Sequence, residues 1–554
     1  MVKSIQQRLN IARYGLFLLV TGLTLSLARS VAAAPTVEEM WHVIQQQQRT
    51  IEALQARLDA GAAAHGVTAP RDQPELGQLQ QRIEENSARI DATASLMEQR
   101  GTSGGGWWDR TSVGGYGSAR FEAATADKHE TGFTHRRFVL AVNSQWLDRL
   151  QTYFELEFEH FTQLELEKNI NAGGAELELS QAVEGSNDSE ISIEQAWARY
   201  SISPALNLDF GAVLVPVGRF NLRHDDNQWL LPRRSLVDRG APVLPVTAAW
   251  TELGAGVSGT AYAGGSLLDY RLYVLNGSSL DFELENELEV AVKPGATELE
   301  SITAAEFGLV RGAFDGNSND SLAFAGRLAL RPAPGQEIAV SGYFGNYVPS
   351  FLGTDASLWS LAVDGLHHVR EFEIEYQAVT TRFENLMDVA DAFAGRLLFG
   401  ARETSGAVED AAFATQKIEF GLSGHAMARR KSGYWIELRR PFWPEALNDT
   451  FLGRGFNNPQ LIPVLRMEQV FFDDQLQGMA FDGGKVSAFE TRNARINRAT
   501  IGLGYRPVPD WVLSLAGEYT WTGARSLAGL TNYLAAGERE DDNFSLLLGA
   551  AFGF

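Results

Sequence analysis

One stretch of this chain, from Val217 to Thr247, concentrates charged side chains of both signs. Basic and acidic groups that face each other across a narrow opening create a transverse field, which orients small polar solutes. The alternative is that the arginines only pair with acids on a neighbouring wall. The candidate residues are Arg219, Arg223, Arg233, Arg234 and Arg239, with Asp225, Asp226 and Asp238.

A second set of charged residues occupies alternate positions of predicted strands. In 150–161 and 370–379, carboxylates alternate with Leu, Phe, Ile and Tyr. Rows of carboxylates are costly in a dry core but stable beside water, so this face is predicted to line an aqueous lumen. The candidate wall residues are Glu155, Glu157, Glu159, Glu371, Glu373 and Glu375, together with Arg137 and Arg466.

Signals for catalysis or for a bound cofactor are weak. A Gly-x-Ser-x-Gly match at Gly101–Gly105 has neither the strand before it nor the helix after it that a nucleophile elbow needs. A calcium-like stretch begins at Asp315, but Asp320 and Gly326 stand where Gly and Glu are required. The sequence has no His-Glu-x-x-His, P-loop or dinucleotide motif. We therefore expect no enzymatic activity, no cofactor and no metal site.

The alternation beyond Ser112 predicts the scaffold for these side chains, which is an all-β, antiparallel transmembrane β-barrel. About seventeen strand-like segments occur, and an even number is required if both ends of the barrel face the same side, so we predict sixteen strands, with eighteen as the alternative. Tight turns are predicted near 147–149, 203–206, 263–266, 332–335, 366–368, 429–432 and 507–510. Long extracellular loops are predicted at 163–189, 216–248, 277–320, 383–413, 440–460 and 522–542.

The last residues, Asn543–Phe554, predict the strand that closes the barrel. Every second side chain is apolar, and all of these are large except Ala550, whereas the other face is small or polar except at Leu547. A final strand that ends in Phe resembles the assembly signal of bacterial outer-membrane barrels, which implies the barrel-assembly machinery as a partner. Phe552 and Phe554 are the candidate signal residues. The alternative is an edge strand of a soluble sheet.

The first hundred residues differ from the rest of the chain. A charged start, an apolar run and small residues predict a signal peptide at 1–33. Apolar residues spaced by seven, such as Val37, Ile44 and Ile51, predict an α-helical coiled coil in the periplasm at 34–100, with a lone amphipathic helix as the alternative. A Gly-rich linker follows at 101–111, and the barrel is assigned to 112–554.

Composition excludes one class of partner. The net charge of -22 argues against binding to nucleic acid, because neutralising phosphates requires surplus Lys and Arg. The chain contains no Cys, so neither disulfides nor cysteine metal sites are available.

The segment Gly211–Gly259 resembles the central segment of the phosphate-selective porin O and P family. The matching residues are Gly211, Pro216, Gly218, Asn221, His224, Pro245, Trp250, Glu252 and Gly254, with Glu194 and Gln195 before them. The resemblance implies a homotrimeric, sixteen-stranded channel in the bacterial outer membrane, in contact with lipid and lipopolysaccharide. Family channels use lysines near the constriction, whereas this chain has seven scattered Lys.

These observations together predict a porin. It would allow passive diffusion of small hydrophilic solutes through a loop-constricted pore, with phosphate-like anions among them if the resemblance extends to selectivity. One alternative is an envelope tether in which the coiled coil is the working part, and another is an outer-membrane hydrolase barrel. Ion conductance would separate the porin from both alternatives.

Overall fold

A computed structural model describes residues 107–125, 131–159, 164–173, 176–185, 190–240, 242–247, 249–291, 300–310, 321–393, 415–420, 427–482, 485–522 and 542–554. The predicted signal peptide, the predicted coiled coil and the linker up to residue 106 lie outside these residues, and so does 315–320 of the calcium-like stretch. Of the residues described, no helix has the length and apolar character needed to cross a membrane.

Strands dominate the described residues. Short helical turns occur at Trp107–Arg110, Arg219–Leu222, Asp226–Gln228, Leu236–Gly240, Ser350–Leu352 and Glu445–Leu447, and residues 386–393 are helical. The strands are β1 (Thr111–Ala124), β2 (Gly132–Leu147), β3 (Leu150–Glu159), β4 (Leu164–Gly173), β5 (Glu176–Gly185), β6 (Glu190–Ser203), β7 (Leu206–Leu214), β8 (Thr251–Ala263), β9 (Ser266–Leu275), β10 (Ser279–Ala291), β11 (Glu300–Val310), β12 (Ala323–Ala333), β13 (Gln336–Asn346), β14 (Ser357–Val369), β15 (Phe372–Phe383), β16 (Thr415–Phe420), β17 (Ala428–Arg439), β18 (Gln460–Asp482), β19 (Lys485–Arg506), β20 (Trp511–Thr522) and β21 (Asp542–Gly553).

Sixteen of these strands pair into a closed antiparallel ring, in the order β1, β2, β3, β6, β7, β8, β9, β12, β13, β14, β15, β17, β18, β19, β20 and β21. Strand β21 returns to β1, with Gly553 opposite Tyr116 and Ser545 opposite Ala124. The predicted sixteen-stranded antiparallel β-barrel is confirmed, and the alternative of eighteen is wrong. The remaining strands lie outside the ring, because β4 pairs with β5, and β10 and β11 join β16.

One end of the barrel carries the tight turns, and we call it the turn end. It holds the connections 148–149, 204–205, 264–265, 334–335, 370–371 and 507–510, together with Thr111 and Gly553. Five of the predicted tight turns occur there. The turn predicted at 366–368 lies slightly later, at 370–371, where Arg370 adopts a φ of 57°.

The turn predicted at 429–432 is wrong. These polar residues lie inside β17, where Lys431 pairs with Thr381 on β15 and Phe472 on β18. Because this turn is absent, the chain that follows runs in the opposite direction to the one predicted. The connection 440–459 therefore lies at the turn end, where Tyr505 donates a hydrogen bond to the Leu452 carbonyl, and not at the opposite end with the other predicted long loops. The long loop predicted at 277–320 is also partly wrong, because β10 and β11 form a hairpin there.

The barrel strands alternate between an apolar outer face and a polar inner face. On β13, Ile338 and Val340 are 44% and 51% exposed, whereas Glu337 and Ser341 on the inner face are 9% and 7% exposed. A soluble sheet buries its apolar side chains in a core, but a barrel in a bilayer turns them towards lipid. The outer face therefore has the character of a transmembrane β-barrel.

Phe554 lies beside the closing seam and supplies a test of the predicted assembly signal. Its N–H donates to the Gly115 carbonyl (3.1 Å), and its ring stacks on Phe138 with 6.1 Å between centroids. We expect Phe554→Ser to lower the amount of heat-modifiable barrel in the outer-membrane fraction by about tenfold, because the recognition end of β21 is lost. Phe451→Ser, which changes an 86%-exposed Phe outside any strand, is the control. Equal yields from the two variants would contradict the prediction.

Candidate pore constriction and the cavity beside it

The connection between β7 and β8, residues 215–250, folds into the barrel, and we call it the inner loop. Asn221 is fully buried and ties the two ends of this loop together. Its amide donates to the carbonyls of Val215 (2.7 Å) and Trp250 (3.0 Å), and its side-chain oxygen accepts from the Trp250 N–H (2.7 Å). Gly218 has a φ of 75°, and a Cβ there would lie 2.8 Å from the Gln377 side chain, so the bend requires glycine.

The inner loop reaches strands on several sides of the ring. The hydrogen bonds run from Gly218 N–H to Ser341 Oγ on β13 (3.0 Å), from Phe220 N–H to Gln377 Oε1 on β15 (2.9 Å), from Leu236 N–H to Glu468 Oε1 on β18 (3.1 Å) and from Ser118 Oγ on β1 to Asp226 Oδ2 (2.7 Å). Because these strands lie far apart in the ring, the loop crosses the lumen.

Four of the five candidate loop arginines have described side chains, and each of the four is paired with an acid. The pairs are Arg219 with Glu337 (2.6 Å) and with Glu375, Arg223 with Glu375 (3.4 Å), Arg233 with Glu122 and Glu518, and Arg234 with Asp226 (3.2 Å). Arg239 lies in the turn Leu236–Gly240, and its side chain is outside the described residues. The sequence left two alternatives open for these arginines: a charged ring at a narrow opening, or ion pairs with neighbouring acids. In the structure the four described arginines lie inside the barrel and also form ion pairs.

Asp225, Asp226 and Asp238 hold the inner loop in place. Asp225 accepts from Gln228 (2.6 Å), and Asp238 accepts from Gln377 (2.9 Å). Burial raises the pKa of Asp238 to about 7, although hydrogen bonds from Ser235 and Gln377 oppose that shift.

The carboxylates predicted to face water are mostly covered, so the predicted open acidic wall is wrong. Glu155, Glu157, Glu159 and Glu375 point inward, but none is more than 7% exposed. The inner loop and neighbouring arginines cover them: Arg137 pairs with Glu157 and with Glu159 (3.0 Å), and Arg219 pairs with Glu375. Glu373 is less covered, with a side chain that is 25% exposed and lies 3.3 Å from His368. Glu371 is not on the wall, because it lies in the exposed turn 370–371 and pairs with Arg440.

Arg466 belongs to a buried ion-pair network that the sequence analysis did not identify. Arg466 lies 3.4 Å from Glu468 and 3.7 Å from Glu437, and Arg498 lies 3.2 Å from Glu518. Members of the network come from β17, β18, β19 and β20. Single-strand alternation identifies inward positions but not which opposite charges on neighbouring strands will meet.

The barrel interior away from the turn end contains an apolar core, which corrects the prediction of an aqueous lumen throughout. Trp250 of the inner loop packs with its ring centroid 4.7 Å from that of Tyr343 on β13. Val217, Leu236 and Val237 of the loop are fully buried in the same cluster. Apolar loop side chains that enter a barrel are stabilised by inward apolar residues on the strands, so water is excluded there.

A cavity of about 460 Å³ lies beside the inner loop at the turn end. It is bounded by the inner loop and by strands β6, β7, β8, β9, β12 and β13. Six arginines line it, against two carboxylates: Arg199, Arg219, Arg223, Arg271, Arg327 and Arg331, with Asp269 and Glu337. Arg223 and Arg331 have side chains that are 37% and 46% exposed. Burial and the neighbouring Arg219 lower the pKa of Arg223 to about 10, and the group stays charged at neutral pH.

A second group of titratable side chains lies where the inner loop meets β3 and β6. Potential ligand atoms of Glu155, Glu194 and His224 all lie within 4.8 Å of one another. Burial alone would lower the pKa of His224, but the Glu194 carboxylate 3.1 Å away raises it to about 10. The sequence named Glu194 and His224 only as positions of the family resemblance.

The fold defines this chain as a closed barrel of the transmembrane type whose lumen is crossed by a loop. No family model matches the chain. An uncharacterized protein of Aquifex aeolicus is 26% identical over 221 residues, which are 40% of this chain and 41% of that protein. The chain thus spans less than half the length of that relative.

Solved structures with a similar arrangement include outer-membrane channels. An anion-selective porin from Comamonas acidovorans is 8% identical with a TM-score of 0.42, over 80% of this chain and 99% of that one. The outer-membrane channel DcaP of Acinetobacter baumannii is 10% identical with a TM-score of 0.41, over 80% and 97%. Salmonella typhi OmpF is 9% identical with a TM-score of 0.39, over 80% and 97%. Because these TM-scores are all below 0.5, the similarities do not indicate a function for this chain.

Proposed function

We propose that the protein is a bacterial outer-membrane porin through which small hydrophilic solutes diffuse passively, with a preference for phosphate-like anions. The observation that carries this proposal is the cavity of about 460 Å³ lined by six arginines and two carboxylates. A ring of cationic side chains at a narrow part of a pore favours anions. No chemical step is involved, so the functional residues are those that set the radius and the field.

The exposure of the charges explains why the cavity would outweigh the acidic wall. Arg223 and Arg331 reach the cavity with 37% and 46% of their side chains exposed, and they do so while paired with Glu375 (3.4 Å) and with Asp269 (2.9 Å) and Glu337 (2.7 Å), respectively. Arg271 also lines it and has no ion-pair partner among the described residues. The wall acids Glu157 and Glu375 are covered and paired with arginines. Covered pairs contribute little net field, so the exposed arginines dominate the charge that a solute meets.

Orientation and assembly follow from the same proposal. The turn end would face the periplasm, as in barrels with short periplasmic turns, and residues 34–100 would lie there as a coiled coil. The apolar outer face would contact lipid, with lipopolysaccharide in the outer leaflet, and the barrel-assembly machinery would insert the chain. A homotrimer is the assembly that the family resemblance implies.

Replacing the three most available arginines tests the selectivity. We expect Arg223→Gln with Arg271→Gln and Arg331→Gln to shift the reversal potential towards cation preference in planar bilayers under a salt gradient. The shift should grow as the salt concentration falls, since the screening length rises from about 8 Å at 0.15 M to about 30 Å at 0.01 M.

The matched control removes three arginines that lie outside the cavity, through Arg110→Gln, Arg429→Gln and Arg430→Gln, whose side chains are 42%, 57% and 57% exposed. This variant has the same net charge as the cavity variant and should keep the wild-type reversal potential. Equal shifts in both variants would overturn the anion proposal. A folded wild-type protein that carries no current would overturn the channel itself and favour the tether.

A further inference from the structure

The group formed by Glu155, Glu194, His224 and Asp225, which we call the acid–imidazole cluster, has the arrangement of a metal site. His224 Nε2 lies 3.1 Å from Glu194 Oε2 and 3.8 Å from Asp225 Oδ1. Zinc bonds to nitrogen and oxygen are about 2.0–2.2 Å, so tetrahedral ligand atoms lie about 3.4 Å apart. The observed separations bracket that value. His224 and Glu194 are 2% and 0% exposed, and Glu155 is 3% exposed.

Outer hydrogen bonds orient each side chain of the cluster. His224 Nδ1–H donates to the Asn221 carbonyl (3.1 Å), which directs Nε2 towards Glu194. The amide of Gln195 donates to one oxygen of Glu155, and Gln228 donates to Asp225 Oδ2 (2.6 Å). Histidine ligands of metals characteristically donate their second nitrogen to a carbonyl or carboxylate, and metal-bound carboxylates are themselves hydrogen-bonded.

Two carboxylate oxygens of the cluster have no hydrogen-bond donor. Glu194 Oε1 and Asp225 Oδ1 are buried and lack a hydrogen-bond partner. A single imidazolium could offset one of the three carboxylates of the cluster, and Arg137 is already engaged with Glu157 and Glu159. Buried carboxylate oxygens without donors are costly unless they take up a proton or bind a cation, and a divalent cation would satisfy several of these oxygens at once.

We propose that the acid–imidazole cluster binds one divalent first-row transition cation of the Zn²⁺ type, with His224 Nε2 and oxygens of Glu155 and Glu194 as ligands and Asp225 beside them. A mixed nitrogen and oxygen set suits such a cation better than Ca²⁺ or Mg²⁺, which prefer oxygen alone. The bound cation links the inner loop, through His224, to β3 and β6. It therefore fixes the position of the loop.

The test measures zinc retained by the full-length protein, purified in detergent without a polyhistidine tag. Chelator-treated protein is loaded with Zn²⁺, gel-filtered and analysed by inductively coupled plasma mass spectrometry. We expect about one zinc per wild-type chain and none above background in His224→Gln. Gln195→Ala removes the outer bond to Glu155, together with a bond from Trp197 (3.2 Å), and should weaken the affinity by roughly 10–100-fold.

His368→Gln is the matched control, because His368 also lies near a carboxylate, Glu373 (3.3 Å), but is 45% exposed and lacks further ligands. It should retain zinc as the wild type does. If His224→Gln does not fold, X-ray absorption of zinc-loaded wild type decides the matter, since one imidazole nitrogen with oxygen ligands is expected. Wild-type protein that retains no zinc, a His224→Gln variant with full occupancy, or a first shell without imidazole would overturn the proposal.

Discussion

Replacing residues 219–240 with a Gly/Ser linker of about ten residues is expected to raise single-channel conductance about threefold or more and to shift selectivity towards cations. The segment crosses the lumen and carries five arginines and three aspartates. Its removal opens the interior and takes away more positive than negative charge. It also exposes Glu375 and Glu518, whose loop partners Arg219 and Arg233 are lost. Planar-bilayer recordings with reversal potentials in asymmetric salt measure both effects.

The matched control replaces 445–455, in the connection at the turn end, with the same linker. Because the main barrel contacts of the inner loop are elsewhere, its conductance and selectivity should stay close to those of the wild type. A loop-deleted channel that remains folded but keeps the wild-type conductance would show that the inner loop does not form the constriction. An increase in conductance with unchanged anion preference would instead place the controlling charges on the wall.

Arg233→Met is expected to destabilise the barrel by about 3 kcal/mol, at the lower end of the range for breaking a buried ion pair. Arg233 is 1% exposed and pairs with both Glu122 and Glu518. Removing it leaves both carboxylates covered and takes away a cationic partner from each, while Arg120 stays 3.1 Å from Glu122 and Arg498 stays 3.2 Å from Glu518. The loss is measured as a lower urea midpoint of the heat-modifiable folded band, together with an unchanged slope.

A control variant and a double variant test the same ion pairs. Arg429→Met removes an arginine whose side chain is 57% exposed and paired with Asp474 (2.6 Å), and it should cost less than about 1 kcal/mol. Adding Glu122→Gln to Arg233→Met removes one stranded charge and should restore part of the lost stability. Equal midpoints for Arg233→Met and Arg429→Met would argue against a structural role for the Arg233 pairs.

The alternation of apolar and polar residues along each strand was sufficient to predict much of the barrel. It identified the outward side chains of β21, where Phe544 and Leu546 are 48% and 43% exposed, and it identified Glu155 and Glu375 as inward. Strand geometry is local, because successive side chains point to opposite faces whatever the strand pairs with. Local polarity also misled: the charged run at 429–432 resembles a turn, yet pairing on both sides holds it within β17.

The environment of the inward residues was decided only by the tertiary structure. Arg219 and Glu375 are 156 positions apart, and they meet because the ring closes and the inner loop crosses it. The same folding covers the acidic wall, gathers six arginines around one cavity and brings His224 to Glu194. Inward direction depends on neighbouring residues in one strand, and the sequence alone determined it. Burial, pairing and cavity shape depend on contacts between distant segments, so they arise only when the loop is placed inside the closed barrel.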